Sequence, residues 1–128
     1  MGKAVNSDRP INLDLTKFKF PPMAIVSITH RISGVLMFLF VPLAIYLLHE
    51  AVASEQTFAA LQQALQGVGM RLAVWIGLSA TFYHVISGTR HLIMDFGFWE
   101  TVRAGRMSAY GVFVLGIVVA VLVGVWVW

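Results

Sequence analysis

The most constraining feature of this sequence is a set of three long stretches that carry no charged side chain. They lie between Arg31 and Glu50, between Arg71 and Arg90, and from Met107 to Trp128. Each is close to the roughly 20 apolar residues that a helix needs to cross the hydrocarbon core of a bilayer. The pattern predicts an all-α integral membrane protein with three transmembrane helices.

The composition supports this class and limits what the chain can do alone. Hydrophobic residues make up 59% of the 128 residues and charged residues 12%, whereas soluble domains are about 45–50% apolar and about 25% charged. Three spans leave no room for a separate soluble domain, so residues 1–128 are expected to form a single membrane-anchor domain. If the chain belongs to an enzyme, the bulk of the catalyst must lie on other chains.

The sequence contains no cysteine. This excludes iron–sulfur ligation, disulfides, covalent haem attachment and thiol catalysis by this chain. Any haem here must be held non-covalently. The N-terminal segment has neither the apolar core of a signal peptide nor the composition of a transit peptide, so we expect a protein of the bacterial inner membrane.

The distribution of basic residues predicts the orientation of the spans. The first loop has only Arg71 beside two glutamates, and no charged side chain follows Arg106. The N-terminal segment and the second loop are richer in basic residues, namely Lys3, Arg9, Lys17, Lys19, Arg90, Arg103 and Arg106. Because cytoplasmic loops carry the excess of Lys and Arg, the N-terminus is predicted to be cytoplasmic. The net charge of +3 then reflects topology, and nothing in it indicates nucleic-acid binding.

Residues 1–22 are predicted to form a cytoplasmic arm, and the spans are predicted at about 23–49, 70–95 and 107–128. Pro21 and Pro22 should end the irregular arm and set the first helical turn. Ser54 is expected to cap a short amphipathic helix that lies along the outer interface.

His84 lies about 9 Å inside the second uncharged stretch, at 1.5 Å rise per residue, and is a candidate functional residue, because an imidazole in hydrocarbon needs a binding partner. Its helix face carries a stripe of small residues and a second histidine: Gly77, Ala80, Gly88 and His91. Such a stripe admits a flat ligand, or it lets two helices approach closely. His84 at its centre favours a macrocycle. A similar stripe in the third span, Gly116, Ala120 and Gly124, has no polar centre and is predicted to serve packing alone.

A second polar stripe enters the first span with Ser27, His30, Arg31 and Gly34 on one helix face. A hydroxyl, an imidazole and a guanidinium together favour a site for a carboxylate or a quinone carbonyl. The alternative for Arg31 is anchoring to lipid head groups.

Three polar residues close the second span: Arg90, His91 and Asp95. They are expected to anchor the interface, with His91 and Asp95 one turn apart and able to hydrogen-bond. His30 and His91 are placed at the membrane edge, so neither is expected to reach His84. A bis-histidine haem would then need its second ligand from another chain.

Three motifs carry a family resemblance: Arg9-Pro10-x-Asn12-Leu13-Asp14-Leu15, Ser27-x-x-His30-Arg31-x-Ser33-Gly34, and His84-x-x-x-Gly88-x-Arg90-His91-x-x-x-Asp95. With the three-span plan, they make the whole chain similar to the cytochrome b556 subunits of bacterial succinate dehydrogenase, small membrane anchors of respiratory complex II. Many relatives read Ser-Pro-His-Leu where this chain has Ile11-Asn12-Leu13-Asp14, which is typical of the proteobacterial variant.

The resemblance implies a role for each polar stripe. His84 matches the axial haem b ligand, in a helix bundle completed by a sister anchor subunit that supplies the opposite histidine. His30 and Arg31 match residues near the haem propionates, and Ser27 and Arg31 match the ubiquinone pocket; Arg90, His91 and Asp95 are possible supporting residues. The implied partners are the sister anchor, an iron–sulfur subunit with its clusters, and a flavoprotein with FAD.

Other function classes remain open. A transporter would need polar residues through the full membrane depth, whereas the outer halves of these spans are almost wholly apolar. A haem-free fumarate reductase-type anchor and a purely structural anchor are the closest alternatives, and His84 distinguishes both of them from a haem-binding subunit.

Overall fold

A computed structural model describes residues 19–128, and they form four α-helices: α1 (Pro22–Ala53), α2 (Glu55–Ala64), α3 (Val68–Asp95) and α4 (Val102–Val127). No strand is found in this part of the chain. The helices α1, α3 and α4 are long and apolar enough to cross a membrane. The predicted all-α class is confirmed, while residues 1–18 of the predicted arm and the Arg9-Pro10 motif lie outside the described residues.

Both proline and serine act at the helix ends as their chemistry predicts. Helix α1 begins with Pro22 in its first turn, where the missing N–H costs no hydrogen bond. Ser54 caps α2: its side chain accepts from the Thr57 N–H, and the Thr57 hydroxyl accepts from the Ser54 N–H. This reciprocal arrangement satisfies N–H groups that the first turn leaves without partners. The turn between α1 and α2 is therefore sharply defined.

Helix α4 starts at Val102, which is earlier than the predicted start at 107. The side chain of Thr101 accepts a hydrogen bond from the Ala104 N–H and caps the helix. Arg103 and Arg106 consequently lie on α4 rather than in a linker. The prediction was wrong because charged residues were taken to end the span, whereas a helix continues past the membrane edge wherever its backbone bonds are made.

Helix α3 packs against both α1 and α4, and α2 packs on α1. A small buried cluster of Val26 on α1 and Ala109 and Val112 on α4 joins these two helices, and Tyr83 of α3 packs against it. Most of the remaining apolar side chains are exposed on the isolated chain. Lipid or other membrane helices must cover these side chains, because water would make such a surface unfavourable.

The contact between α3 and α4, named here the α3–α4 seam, consists of aromatic side chains laid over glycines. Tyr83 lies over Gly116 so closely that a Cβ there would come 2.7 Å from its ring, and Trp75 covers Gly124 in the same way at 3.3 Å. The indole Nε1 of Trp75 also donates a 2.8 Å hydrogen bond to the Ala120 carbonyl. These contacts agree with the prediction that the small residues of the third span serve packing.

Candidate haem and quinone site

His84 is half-buried between α3 and α1, and its ring nitrogens are in different environments. Nδ1 lies 3.1 Å from the His30 carbonyl oxygen and 3.2 Å from Ser33 Oγ. The carbonyl can only accept, and the Ser33 hydroxyl already donates to that same carbonyl at 2.7 Å. Nδ1 must therefore carry the hydrogen, which leaves Nε2 of the neutral ring with its lone pair.

The three histidines of the two stripes form a column between α1 and α3. The rings of His30 and His84 stack with centroids 4.0 Å apart and planes 17° apart, and His30 stacks on His91 at 5.0 Å and 22°. The expectation that neither His30 nor His91 reaches His84 is wrong for His30. At 1.5 Å per residue, His30 lies about 12 Å from the start of α1, and His84 and His91 lie about 16 Å and 6 Å from the end of α3. His30 thus falls at a depth between the other two.

The stacked geometry limits what the column can bind. Parallel rings place their nitrogen lone pairs side by side rather than converging on one point. In agreement, residues 19–128 contain no group of three or more His, Cys, Asp or Glu side chains arranged to hold a metal ion. A haem iron could accept one histidine from this column, and its opposite ligand would come from another chain.

The glycine stripe of α3 is filled by side chains of α1. The Phe40 ring occupies the space over Gly77, and His30 Nε2 lies 3.3 Å from where a Cβ of Gly88 would be. On α1, the His84 ring packs in the same way over Gly34, 3.1 Å from a Cβ. Close helix approach therefore accounts for these glycines, and the groove predicted to receive a macrocycle within the stripe is already occupied. A flat ligand would have to lie beside the α1–α3 contact.

Ser27 and Arg31 lie one turn apart on α1 and remain available to a ligand. Ser27 is half-buried and Arg31 is exposed. Among residues 19–128, neither side chain has a hydrogen bond or an ion pair. Their position beside His30 keeps the predicted stripe together on one flank of the histidine column.

The residues that close α3 differ from the predicted interface anchors. Arg90 is only 5% exposed, and it donates from Nε to Ser108 Oγ at 2.9 Å and from Nη2 to the Gly105 carbonyl at 3.0 Å. It therefore links α3 to α4 instead of reaching toward head groups. His91 Nδ1 lies 2.9 Å from the Ser87 carbonyl, and Asp95 is exposed, so the predicted bond between His91 and Asp95 is not formed.

Two contributors to the site were missed by the sequence analysis. Ser33 Oγ contacts His84 Nδ1 directly, although the sequence analysis named Ser33 only as part of a motif and gave it no role. Tyr83 OH lies 2.6 Å from Thr29 Oγ1, and since the threonine donates to the Ile25 carbonyl, the tyrosine donates to the threonine. The available signal was the same in both cases: a polar side chain within an apolar stretch needs a partner.

A sequence profile of the succinate dehydrogenase/fumarate reductase transmembrane subunits matches residues 5–124. The chain belongs to this family. A protein of Coxiella burnetii named succinate dehydrogenase cytochrome b556 subunit is 59% identical over 125 residues, which cover 97% of this chain and 100% of that protein.

More distant relatives of this anchor carry related names. The cytochrome b560 subunit of Chondrus crispus succinate dehydrogenase is 32% identical over 117 residues, 85% of this chain and 87% of that protein. The cytochrome b556 subunit of Paracoccus denitrificans is 27% identical over 129 residues, 95% and 94% of the two chains. The chain is therefore a membrane anchor of the complex II type, and its process is electron transport.

Proposed function

We propose that this chain is the haem b-binding anchor subunit of a succinate:ubiquinone oxidoreductase and helps to form the site where ubiquinone is reduced. The observation that carries the proposal is the hydrogen bonding of His84. Its Nδ1–H is directed at the His30 carbonyl, which orients the ring and leaves Nε2 as the electron-pair donor. Metal-bound histidines are held by such a bond from the other ring nitrogen.

The neighbouring residues fit a non-covalent haem. His84 would ligate the iron, and a histidine of a sister anchor subunit would occupy the opposite position. Neither ring nitrogen of His30 has a hydrogen-bond partner in residues 19–128, and the exposed Arg31 also lacks one. Both side chains can donate to carboxylates, so we assign them to the haem propionates. When bound, the haem would supply a one-electron carrier.

Ser27 and Arg31 are the residues that we assign to ubiquinone. A serine hydroxyl can donate to a quinone carbonyl oxygen, and a guanidinium stabilises the negative charge that develops as the ring takes up electrons. The electrons would come from succinate through the FAD of a flavoprotein subunit and the clusters of an iron–sulfur subunit. The supporting observation is that both side chains lack partners within the described residues.

The haem assignment has a direct spectroscopic test. We expect the purified complex to give a reduced-minus-oxidised spectrum of low-spin haem b, because two histidines produce a six-coordinate iron. The measurement needs the chain co-expressed with its partner subunits. A complex that turns over succinate without any haem signal would instead support a haem-free anchor of the fumarate reductase type.

We also propose a bacterial inner-membrane location with a cytoplasmic N-terminus. Single cysteines at Gln63 and Glu100, both exposed, test this orientation in a chain that has no cysteine of its own. In intact cells, an impermeant thiol reagent should label Gln63→Cys and should reach Glu100→Cys only after permeabilisation. Labelling of Glu100→Cys alone would invert the topology and put the Ser27 stripe on the wrong side for a cytoplasmic electron donor.

A further inference from the structure

Arg90 is a buried cation without an anionic partner. The residue is 5% exposed, and both of its side-chain hydrogen bonds end on neutral oxygens, of Ser108 and Gly105. No carboxylate pairs with it anywhere in residues 19–128. Neutral acceptors satisfy donors, but they leave the charge itself uncompensated, and a charge removed from water is costly unless an opposite charge accompanies it. The compensating charge must come from outside residues 19–128.

A groove between α3 and α4 passes directly beside Arg90. It has a volume of about 610 Å³, and Arg90, Trp99 and Ser108 are among its lining residues. Apart from Thr89, whose hydroxyl donates to the Val85 carbonyl, the rest of its length is apolar, with Val85, Ile86 and Leu115 toward the middle of the helices. From Ser108 to Leu115, α4 rises about 10 Å. The groove thus has a cationic end at the ends of α3 and α4 that meet at the connecting loop, and an apolar end deeper in the bilayer.

Exposed side chains of both signs lie near the cationic end: Arg103 and Arg106 on the first turns of α4, Asp95 at the end of α3 and Glu100 in the loop. The buried Arg90 is therefore the charge that distinguishes the groove itself. Trp99 lies in the loop with a positive φ of 59°, a conformation that a bulky residue adopts only when its surroundings impose it. That turn brings Trp99 into the lining of the groove, and an indole at the head-group level is typical of a membrane interface.

We propose that this groove binds one anionic phospholipid, with its phosphate at Arg90 and an acyl chain along the apolar lining. The polarity of the groove matches an amphiphile with its head at the interface and its tail inward. A partner helix fits less well, because acidic side chains are rare within membrane spans, and a helix without one would leave the charge of Arg90 uncompensated. The residues assigned above to haem and ubiquinone, Ser27, His30, Arg31 and His84, do not line this groove.

The charge of Arg90 can be tested in the assembled, delipidated complex by native mass spectrometry. Phosphatidylglycerol, phosphatidylethanolamine and inorganic phosphate are titrated separately. We expect one phosphatidylglycerol to bind at least about tenfold more tightly than phosphatidylethanolamine, and inorganic phosphate not to compete with it. Arg90→Gln should remove this preference, whereas Arg103→Gln, which removes an exposed charge from the same end of α4, should change it less than about twofold. Equal retention in wild type and Arg90→Gln would overturn the proposal.

A second variant keeps the test decisive if Arg90→Gln does not assemble. Gly111 lines the groove, and a Cβ placed there would meet nothing within 4 Å. Gly111→Leu should therefore fold normally, fill the groove and release the lipid. Gly69 is equally open and lies at the far end of α3, so Gly69→Leu is the matched control and should retain the lipid. If the wild-type complex binds no phosphatidylglycerol, or if Gly111→Leu binds it as wild type does, another subunit covers the groove and the lipid site does not exist.

Discussion

His84→Ala should remove nearly all low-spin haem b from the assembled complex. The iron would lose one of its two imidazole ligands. No other histidine ring in residues 19–128 is oriented by a hydrogen bond to the His30 carbonyl, as His84 is. Optical and electron paramagnetic resonance spectra of the purified complex measure the effect, with subunit content checked on the same sample. An unchanged low-spin spectrum would exclude His84 as the ligand.

Three further variants separate ligation from packing. His49→Ala removes an exposed histidine at the opposite end of α1 and should leave the spectrum unchanged. Ser33→Ala should retain low-spin haem, because the Nδ1–H of His84 still has the His30 carbonyl as acceptor. Gly88→Leu should diminish the haem signal, since its side chain must displace His30; because the same glycine packs α3 against α1, the signal is normalised to the subunit content. An undiminished signal per subunit in Gly88→Leu would contradict the role of His30 beside the haem.

Arg31→Leu should slow succinate-dependent ubiquinone reduction by about 100-fold, the loss typical of removing one charge-stabilising donor from an active site. Ser27→Ala should slow it about tenfold, because a single hydrogen bond to the quinone oxygen is lost. Arg31→Lys should restore part of the activity, since an ammonium carries the charge but lacks the planar fork of the guanidinium. Steady-state turnover with a soluble ubiquinone analogue measures all three effects.

The control for these variants is succinate oxidation with a soluble artificial dye, which takes electrons before the quinone. We expect it to be retained, because the flavin and the iron–sulfur clusters lie on other subunits. Arg103→Leu, which removes an exposed charge from the start of α4, should leave both activities unchanged. Quinone reduction near the wild-type rate in fully assembled Ser27→Ala and Arg31→Leu would mean that the stripe contacts lipid and that the quinone site lies elsewhere.

The spans and caps were predictable because their determinants are local. A run without charge predicts a transmembrane helix, and Ser54 and Pro22 each mark a helix end: the Ser54 side chain accepts from the first turn of α2, and Pro22 lacks an N–H that would need a partner. The contacts between helices were less accessible. The stacking of His30 on His84 depends on the relative depth of α1 and α3 in the membrane. The predicted span boundaries placed the two histidines at depths that differ by about one helical turn.

The burial of Arg90 is a second contact between helices that the sequence did not predict. Its position near the end of a span predicts a head-group anchor, and its side chain is buried only because α4 begins early enough to present Ser108 and Gly105 to it. The crossing of α3 and α4 decides which face of α3 is covered. Hydrophobic periodicity does not report that crossing, because apolar side chains cover most of the surface of α3 and α4.

The α3–α4 seam also determines how this chain can be made. Its contacts include the Tyr83 ring over Gly116 and the hydrogen bond between Trp75 and Ala120. All of these residues belong to two consecutive helices of the same chain. The last helix can therefore pack as soon as it enters the bilayer, without waiting for another polypeptide. The newly inserted chain would then have its α3–α4 contacts in place while Ser27 and Arg31 still have no partner within residues 19–128.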